Sequence, residues 1–360
     1  MHYLETVAYK TLAQRYSSFV YIDGFSGPWK SKDEEYKDTS FGLAIQKLSE
    51  VRKTLYFKHN RKTSIKCVFV EKTKKAFNEL EAACADVKGI NVRPIHGRFE
   101  DSVDEILEFI GPSRDTFVFT FVDPTGWKVD LQKLAPLLSR QPGEVLFNFM
   151  FDHINRFNQT FPETFELLFA DPNWQTNLDK TLSPSDAVTN LFGERLKDIG
   201  QFSFTAATEV LKATSDRTHF HLYYGTRNIH GLTVFRDIQR KAAEQQDEQR
   251  NQAKKRKKLD RTGMHELFPE ETHYSDPLSI AQYEEELDGA EKYFNNLIKR
   301  HANIEYDSLL ADILQRFVIT RTDVNNILRK AKKDGLIDFP DISANEQIPK
   351  IGKSHHISVN

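Results

Sequence analysis

An acidic residue, Asp123, stands where an apolar segment ends in a turn. The segment 116–122 is rich in β-branched and aromatic residues and predicts a buried strand, and Pro124 and Trp127 follow the acid within four positions. In an open α/β sheet, ligands bind just outside the carboxyl ends of the strands. A carboxylate at this place is positioned for chemistry on a bound ligand. An ordinary acidic strand end before a turn would have the same sequence, so the other strand ends have to decide between the two interpretations.

The first predicted strand, 18–23, also ends in an acid. Asp23 is followed by Phe25 and Gly27, and a glycine lets the backbone approach a bound ligand closely. The segment lacks the Gly-x-Gly-x-x-Gly pattern that is typical of dinucleotide-binding turns. Alone, this turn is weak evidence for a function.

The second and third predicted strands complete a row of such ends. Glu71 ends the second strand, and each of its carboxylate oxygens can accept one hydroxyl hydrogen of a ribose diol. Gly97 and Phe99 follow the third strand, where the chain can offer a flat face to an adenine ring. Asp123 is fourth in this row. A lone glutamate after a strand means little, but the four ends together indicate a nucleotide-like ligand along one edge of a sheet.

Composition sets the class of protein. The chain has 360 residues, 39% of them hydrophobic, which suits one large domain plus a smaller one. The formal net charge is −2, so any contact with nucleic acid has to come from local patches. The chain begins without the pattern of a signal peptide, and no apolar run is long enough to cross a bilayer. Cys67 and Cys84 suggest neither a disulfide framework nor a metal site, so we expect buried thiols in a reducing cytoplasm.

The order of predicted elements indicates the fold class. Strands and helices alternate through about the first 230 residues, which predicts parallel strands joined by right-handed helical crossovers. Two late strands, 203–212 and 219–227, can pair as a hairpin, so one of them should run against the others. Residues 152–200 are mostly helical in pattern and are interpreted as an inserted lid or substrate-facing lobe. We therefore predict an α/β fold with a seven-stranded nucleotide-binding sheet and a helical insertion.

Shifts in composition divide the chain into segments. The basic run 253–258 is more typical of a solvated helix end or a linker than of a nucleic-acid contact or a localisation tract. The predicted segments are a sheet domain over residues 1–250, a basic linker over 251–264, a small domain over 265–345 and a flexible tail over 346–360.

The small domain has the element order of a winged helix. A helix over 306–317, a turn, a second helix over 323–333 capped by Thr322, and a short strand after Gly335 follow one another. Amide and cationic side chains on the second helix could contact base edges and phosphates. A packing or dimerisation module with the same topology is an equal alternative. The side chains predicted to bind nucleic acid are Asn326, Arg329, Lys330 and Lys333.

Five short segments together resemble a known family. They are 21–28, 69–72, 96–97, 123–127 and 224–227. Over about residues 15–240 the chain resembles the three-Cys-motif partner (TcmP) proteins, and these are similar in turn to class I S-adenosylmethionine-dependent methyltransferases that act on nucleic-acid amino groups. The resemblance implies a Rossmann-like seven-stranded methyltransferase sheet, S-adenosyl-L-methionine as the cofactor, and a separate three-Cys-motif protein as a partner.

The resemblance also implies a role for each motif residue. Asp23, Phe25 and Gly27 would surround the methionine part of the cofactor, Glu71 would hold the ribose hydroxyls, and Gly97 and Phe99 would border the adenine. Asp123 and the carbonyl of Pro124 would accept the two N–H bonds of a target amine and hold its nitrogen in line with the sulfonium methyl. Trp127 would either stack on a flipped or single-stranded base or pack in the core.

The chain departs from the methyltransferase pattern in three places. Trp29 stands in place of a glycine, Arg98 in place of an acid for the adenine amino group, and the segment 123–126 lacks a second proline. Two functions therefore remain open. One is methylation of an amino group, foremost the N6 of adenine in DNA or RNA. The other is non-catalytic nucleic-acid binding or assembly on a methyltransferase-like scaffold, as part of a defence system for example. No residue favours a small-molecule methyltransferase.

Overall fold

The computed structural model describes residues 1–27, 38–124, 128–150, 162–212, 218–262, 277–343 and 345–360. Internal contacts divide the chain into two units. The first unit comprises residues 1–207 and 220–227, and the second comprises residues 208–219 and 228–360. Within the described ranges, no helix is both long enough and apolar enough to cross a membrane.

Seven strands form one mixed sheet. They are β1 (Ser18–Asp23), β2 (Ser64–Glu71), β3 (Asn91–His96), β4 (Thr116–Val122), β5 (Gly143–Phe149), β6 (Phe204–Leu211) and β7 (Thr218–Thr226). Their spatial order is β3-β2-β1-β4-β5-β7-β6. β1 to β5 are parallel and β7 pairs antiparallel with β5. This order with its reversed β7 is that of a methyltransferase-like α/β sheet, which confirms the predicted fold class and the antiparallel late strand.

The central strands are apolar along their whole length because both faces of the sheet are covered. All six residues of β1 are buried, and β4 is buried at six of its seven positions. A strand covered on both sides does not alternate between apolar and polar residues. The rings of Tyr21 and Phe119 stack across β1 and β4, with centroids 6.2 Å apart. This core fixes where β1 and β4 end, and so where the acids that follow them lie.

The described helices of the first unit include the crossovers between its parallel strands. They are α1 (His2–Gln14), α2 (Ser40–His59), α3 (Lys74–Ala85), α4 (Val103–Ile110), α5 (Leu131–Leu138), α6 (Pro162–Phe169) and α7 (Pro184–Gly200). α2 begins at a Thr39 cap, whose hydroxyl accepts the Gly42 N–H at 3.1 Å, and ends at Asn60 in the left-handed region, with φ 47°. α1 packs on α2 and had no counterpart among the predicted elements.

We predicted that residues 152–200 form a lid, but the described part of this segment packs into the main core. Residues 152–161 lie outside the described residues, but α6 and α7 are buried parts of the main core. Phe165 and Phe169 of α6 have no exposed surface, and Phe192 of α7 stacks on Phe149 of β5 with centroids 4.2 Å apart. Helices with so many buried aromatic residues contribute to the stability of the sheet and do not stand apart as a lid.

The second unit contains a winged-helix-like arrangement. Its elements are α8 (Ile229–Thr262), α9 (Pro277–Ile298), β8 (Asn303–Glu305), α10 (Tyr306–Arg316), α11 (Arg321–Lys333), β9 (Ile337–Asp338) and β10 (His356–Val359). The last three strands form an antiparallel sheet of order β8-β10-β9. Helix, strand, two helices and two strands is the order of a winged helix, as predicted, with α11 as the second helix of the helix-turn-helix.

The boundary between the units differs from the predicted one. We expected a basic linker over 251–264, but the described residues up to Thr262 continue α8. The second unit already includes α8, because this helix packs on α10. The buried guanidinium of Arg236 donates to the carbonyl of Leu314 at 2.7 Å and to that of Gln315 at 3.4 Å. These bonds satisfy carbonyls at the end of α10 that have no partner within their own helix.

Two further predictions in this unit are corrected. The segment 346–360 is not a flexible tail, because β10 is the middle strand of the small sheet and Ile357 is completely buried there. The cap of α11 is Thr320 and not Thr322. The hydroxyl of Thr320 accepts the N–H of Asp323, and the carboxylate of Asp323 accepts the N–H of Thr320 at 2.8 Å. A threonine three residues before an acid was a sequence signal for this capping box.

Replacement of Ile357 by alanine should therefore destabilise the second unit. We expect the variant to lower the free energy of unfolding by about 2–4 kcal/mol, because it leaves a cavity beneath the small sheet. Chemical denaturation followed by circular dichroism measures the difference. Alanine at the exposed Lys353 is the matched control and should change little. An unchanged unfolding curve for the Ile357 variant would mean that the C-terminal strand is dispensable.

Candidate functional site at the carboxyl ends of the strands

The turn after β1 is fixed by a buried carboxylate. Asp23 has no exposed surface. One carboxylate oxygen accepts the N–H of Phe25 at 3.0 Å, and the other accepts the hydroxyl of Ser40 at 2.8 Å. The N–H of Ser26 donates to the carbonyl of Val70 on β2 at 2.9 Å. The turn is therefore tied both to α2 and to the neighbouring strand.

The buried position of Asp23 changes its acidity. Burial raises the pKa of this carboxyl from 3.8 to about 6, and the nearby Asp123 adds to the rise, whereas the bonds from Phe25 and Ser40 oppose it. Asp23 is thus ionised at neutral pH but pays a desolvation cost for its charge.

Gly24 allows close packing between the turns after β1 and β3. A Cβ atom at Gly24 would lie 2.5 Å from the ring of Phe99, which is closer than real contacts allow. Phe99 is 1% exposed and meets Phe25 edge-on, with centroids 5.9 Å apart. The glycine in this turn is therefore required by an aromatic neighbour, and the two rings form one wall of the space beside it.

A cavity of about 150 Å³ lies at the ends of β1, β2 and β3. Its lining includes several of the residues predicted to bind a cofactor and several that were not predicted. The predicted residues are Phe25, Glu71, Gly97 and Phe99, and the others include Gly24, Lys72, Arg98, Glu100 and Lys128. Asp23 does not line the cavity and lies behind it, and Gly27 is buried at the last described position of the turn. Four of the six residues predicted to bind a cofactor thus line this one cavity, and their role in binding stays a prediction.

Glu71 provides the acceptor at the end of β2. It is 3% exposed and lines the cavity. One of its oxygens, Oε1, accepts the N–H of Thr73 at 2.6 Å, and Oε2 accepts no hydrogen bond from the described residues. The carbonyl of Glu71 accepts the N–H of Gly97 at 3.1 Å, which joins the ends of β2 and β3. A buried carboxylate with a remaining acceptor suits a hydroxyl-bearing ligand.

Glu100 is a cavity residue that the sequence prediction missed. It is 6% exposed, and its Oε1 accepts the N–H of Asp130 at 3.3 Å. The guanidinium of Arg98 lies 3.4 Å from the same oxygen. Arg98, which departs from the methyltransferase pattern, therefore stands beside an acid that can itself accept a hydrogen bond from a ring amino group. An acid two residues after Arg98 was the available signal.

Asn148 of β5 is a second missed residue. Its amide donates to the Oδ1 atom of Asp123 at 2.5 Å. Burial raises the pKa of Asp123, and this hydrogen bond opposes the rise. Asn148 is 8% exposed, and its own oxygen has no hydrogen-bond partner within the described part of the chain. A buried amide oxygen without a partner is rare and costly, which marks it as a place for a ligand donor. A polar residue inside the apolar strand β5 was the signal.

Of the other residues predicted to contact the substrate, the structure describes Pro124 but not Trp127. Pro124 is buried directly after Asp123. Trp127 lies outside the described residues, as do Trp29 and the rest of the turn at 125–127, so their predicted roles stay predictions. Cys67 and Cys84 are buried thiols, as predicted, and burial raises the pKa of Cys84 to about 12.

The predicted nucleic-acid residues lie on α11 in the second unit. Asn326, Arg329 and Lys333 are exposed and share one stripe of this helix, at intervals of three and four residues. The guanidinium of Arg329 donates to the Asn326 side chain at 2.8 Å. Lys330, in contrast, forms an ion pair with Glu291 of α9. Among the four predicted residues, Arg329 and Lys333 are thus the two exposed cations that are not paired with Glu291, and a phosphate could reach them directly.

Comparisons with known proteins follow the fold. The chain matches no known family model and no curated protein sequence. Among solved structures it is similar to protein LPL1258 from Legionella pneumophila, with 12% identity, a TM-score of 0.34, and coverage of 63% of this chain and 83% of that one. It is also similar to an O-methyltransferase from Bacillus cereus in complex with SAH, with 12% identity, a TM-score of 0.31, and coverage of 62% and 79%. Cofactor-bound Rv0187 from MTB gives 10% identity, a TM-score of 0.29, and coverage of 63% and 80%. At this level of similarity, neither the roles of residues nor the activity of these proteins can be transferred to this chain.

Asparagine at position 23 should stabilise the protein at neutral pH. The folded pKa of about 6 exceeds the ordinary value of 3.8, so the wild type loses stability as pH rises between these two values. Asparagine does not titrate and keeps an acceptor for the Phe25 N–H. We therefore expect the Asp23→Asn variant to be more stable than the wild type by about 1–3 kcal/mol above pH 6, and we expect this gap to close near pH 4.

Urea denaturation of both proteins between pH 4 and 8 measures this gap. Asp115→Asn is the matched control with the opposite sign, because hydrogen bonds from Ser17 lower the pKa of Asp115. That variant should lose stability at neutral pH. If the Asp23 variant were instead less stable at pH 8 than at pH 4 relative to the wild type, the carboxylate would be stabilising the fold by its charge.

Proposed function

We propose that the first unit binds S-adenosyl-L-methionine and transfers its methyl group to an amino group. The observation that carries the proposal is the buried carboxylate of Glu71, which lines a cavity between two glycine turns. A carboxylate at the end of the second strand of such a sheet is the natural partner of a ribose diol. The strand order of the sheet supports the same class of ligand.

The residues around the cavity fit this cofactor part by part. Glu71 has an unused oxygen for a ribose hydroxyl, and Glu100 can accept a hydrogen bond from the adenine amino group. Phe25 and Phe99 supply apolar surface. The ionised Asp23 lies behind the turn and favours a cation in front of it, as the ammonium group of the methionine part requires. When bound, the cofactor supplies an electrophilic methyl group on a sulfonium sulfur.

On the substrate side, Asp123 and Asn148 can hold an amine together. Asn148 keeps the Asp123 carboxylate in place through one oxygen, which leaves the other oxygen and the Asn148 amide oxygen as acceptors. A primary amine offers two N–H bonds, so two acceptors fix both its position and its orientation. The Pro124 carbonyl is a further acceptor in this proposal, and Trp127 would stack on the base that carries the amine.

The finer parts of the proposal concern substrate and partners. We propose adenine in DNA or RNA as the bearer of the amino group, membership of the TcmP family, a three-Cys-motif protein as partner, and action in the cytoplasm. The exposed stripe of Asn326, Arg329 and Lys333 supports nucleic acid, because a second helix of this kind is the element that a winged helix presents to DNA. The alternative is nucleic-acid binding or assembly without catalysis, which the same stripe also supports.

Glutamine at position 71 should weaken cofactor binding. It removes the charge and one of two acceptors while its oxygen can still accept the Thr73 N–H, so the fold should persist. Hydrogen bonds to a charged group contribute about 1.5–3 kcal/mol each, so we expect the dissociation constant for S-adenosylmethionine to rise about 10- to 100-fold. Isothermal titration calorimetry measures it.

The matched control is Glu105→Gln, which removes an exposed carboxylate outside the cavity and should leave affinity unchanged. Absence of heat with wild-type protein at millimolar cofactor would contradict cofactor binding, and with it methyl transfer. Equal affinity of the two variants would contradict the role of Glu71 alone.

Removal of two cations from α11 should separate catalysis from nucleic-acid binding. For the double variant Arg329→Gln and Lys333→Gln, we expect weaker binding of duplex DNA. The slope of log affinity against log salt should become less steep by the contribution of about two phosphate contacts. Cofactor affinity should stay unchanged. Gel-shift titrations at several salt concentrations measure the affinity and its slope. The control is Lys292→Gln on α9, which also removes an exposed positive charge. Undiminished binding would favour the packing or dimerisation alternative for this unit.

A further inference from the structure

The carboxyl-terminal end of α2 has exposed aromatic rings among cations. Phe57 is 80% exposed and Tyr56 is 47% exposed, and their rings meet edge-on with centroids 5.2 Å apart. Four cations within five residues of these rings in the sequence are exposed as well, namely Arg52, Lys53, Lys58 and Lys62. We call these six residues the α2 patch.

The helix pattern explains why these rings point outward. The buried face of α2 is formed by residues spaced three or four apart that end with Val51 and Leu55. Tyr56 and Phe57 follow Leu55 directly, and successive residues lie about 100° apart around a helix, so neither ring belongs to that face. Both rings are large apolar groups in water that the core does not need.

The charge of the patch has one sign. Between positions 51 and 70 the chain has no aspartate or glutamate. Glu50, on the preceding turn, is engaged with Lys47 at 3.0 Å. Arg61 is directed to the backbone, where it donates to the carbonyls of Ala13 and Tyr16. Its charge acts on Asp115, which also accepts from Ser17. The segment that forms the patch therefore supplies four cations and no carboxylate.

Aromatic rings among cations fit a single-stranded polynucleotide. Bases stack on exposed rings whatever their identity, and cations beside the rings follow the phosphates. Duplex DNA hides the faces of its bases, so an exposed phenylalanine gains nothing from it. Residues 52–59 span about 10 Å of helix, which is comparable to two or three nucleotides. A membrane surface would require a wider apolar face than two rings.

We propose that the α2 patch is a binding site for single-stranded nucleic acid. It is separate from the cavity of the same unit. The cavity lies at the carboxyl ends of the parallel strands, whereas α2 ends shortly before Ser64, the first residue of β2, and so at the opposite edge of the sheet. The site is independent of methyl transfer and holds a strand whether or not the cavity binds a cofactor.

The test uses the full chain and a fluorescein-labelled oligothymidylate, with binding followed by anisotropy at several salt concentrations. The Phe57→Leu variant keeps an apolar side chain but loses the flat ring on which a base stacks. Its affinity should therefore fall about tenfold, while the salt dependence stays constant. The double variant Lys58→Gln and Lys62→Gln should weaken binding and reduce the slope of log affinity against log salt by about 1.4. Both positions are exposed, so these variants should fold.

Controls distinguish this site from other sources of binding. The α11 double variant at Arg329 and Lys333 should retain the contribution of Phe57, and photocrosslinking with an iodouracil-substituted strand should label Tyr56 or Phe57. Equal affinity of wild type and the Phe57→Leu variant, or crosslinks on α11 alone, would overturn the proposal. So would stronger binding to polyglutamate or to anionic lipid vesicles than to the oligonucleotide, because these outcomes would assign the patch to an acidic polypeptide or to a membrane.

Discussion

The candidate site depends on one buried carboxylate at the end of the first strand. Asp23 holds the following turn through the Phe25 N–H and holds the start of α2 through Ser40. These two bonds act together with the backbone bonds from Ser26 to Val70 and from Gly24 to Phe121, which also hold the turn that borders the cavity. The carboxylate has no exposed surface, so these bonds form in a region of low dielectric, where each is stronger than in water.

The same burial produces the electrostatic character of the site. Asp23 and Asp123 end neighbouring strands, and each has a pKa raised by desolvation. Hydrogen bonds from Ser40 and from Asn148 offset part of that cost. Two partly compensated negative charges at one sheet edge lower the stability of the fold, and a cationic ligand of the kind proposed would offset this cost. Residues that lower the free energy of unfolding in this way are often retained for a function.

The sequence predicted the sheet well because its strands are buried on both sides and therefore apolar throughout. Two of the predicted strands, Ser18–Asp23 and Thr116–Val122, have the same bounds in the structure. β10 was missed because its segment has one buried residue, Ile357, and its pairing partners lie far away in sequence. Long-range pairing of this kind has no local signal.

The cavity residues divide in a similar way. The positions of Glu71 and Gly97 beside the cavity could be predicted, because Glu71 ends β2 and Gly97 directly follows β3. Glu100 and Asn148 each had a local signal in the sequence, but their contacts with Asp130 and Asp123, which are 30 and 25 residues away, had none. The burial of Asp23 behind the cavity was likewise invisible, because it depends on Ser40 of a helix whose start is set by Thr39.

We propose above all that the ends of β1, β2 and β3 form a nucleoside-binding cavity. A crystal structure with S-adenosylhomocysteine tests it most directly. We expect an adenosine group in the cavity with its ribose hydroxyls within hydrogen-bond distance of the Glu71 carboxylate. A cavity that stays empty at saturating ligand, or a ligand bound elsewhere on the chain, would contradict it.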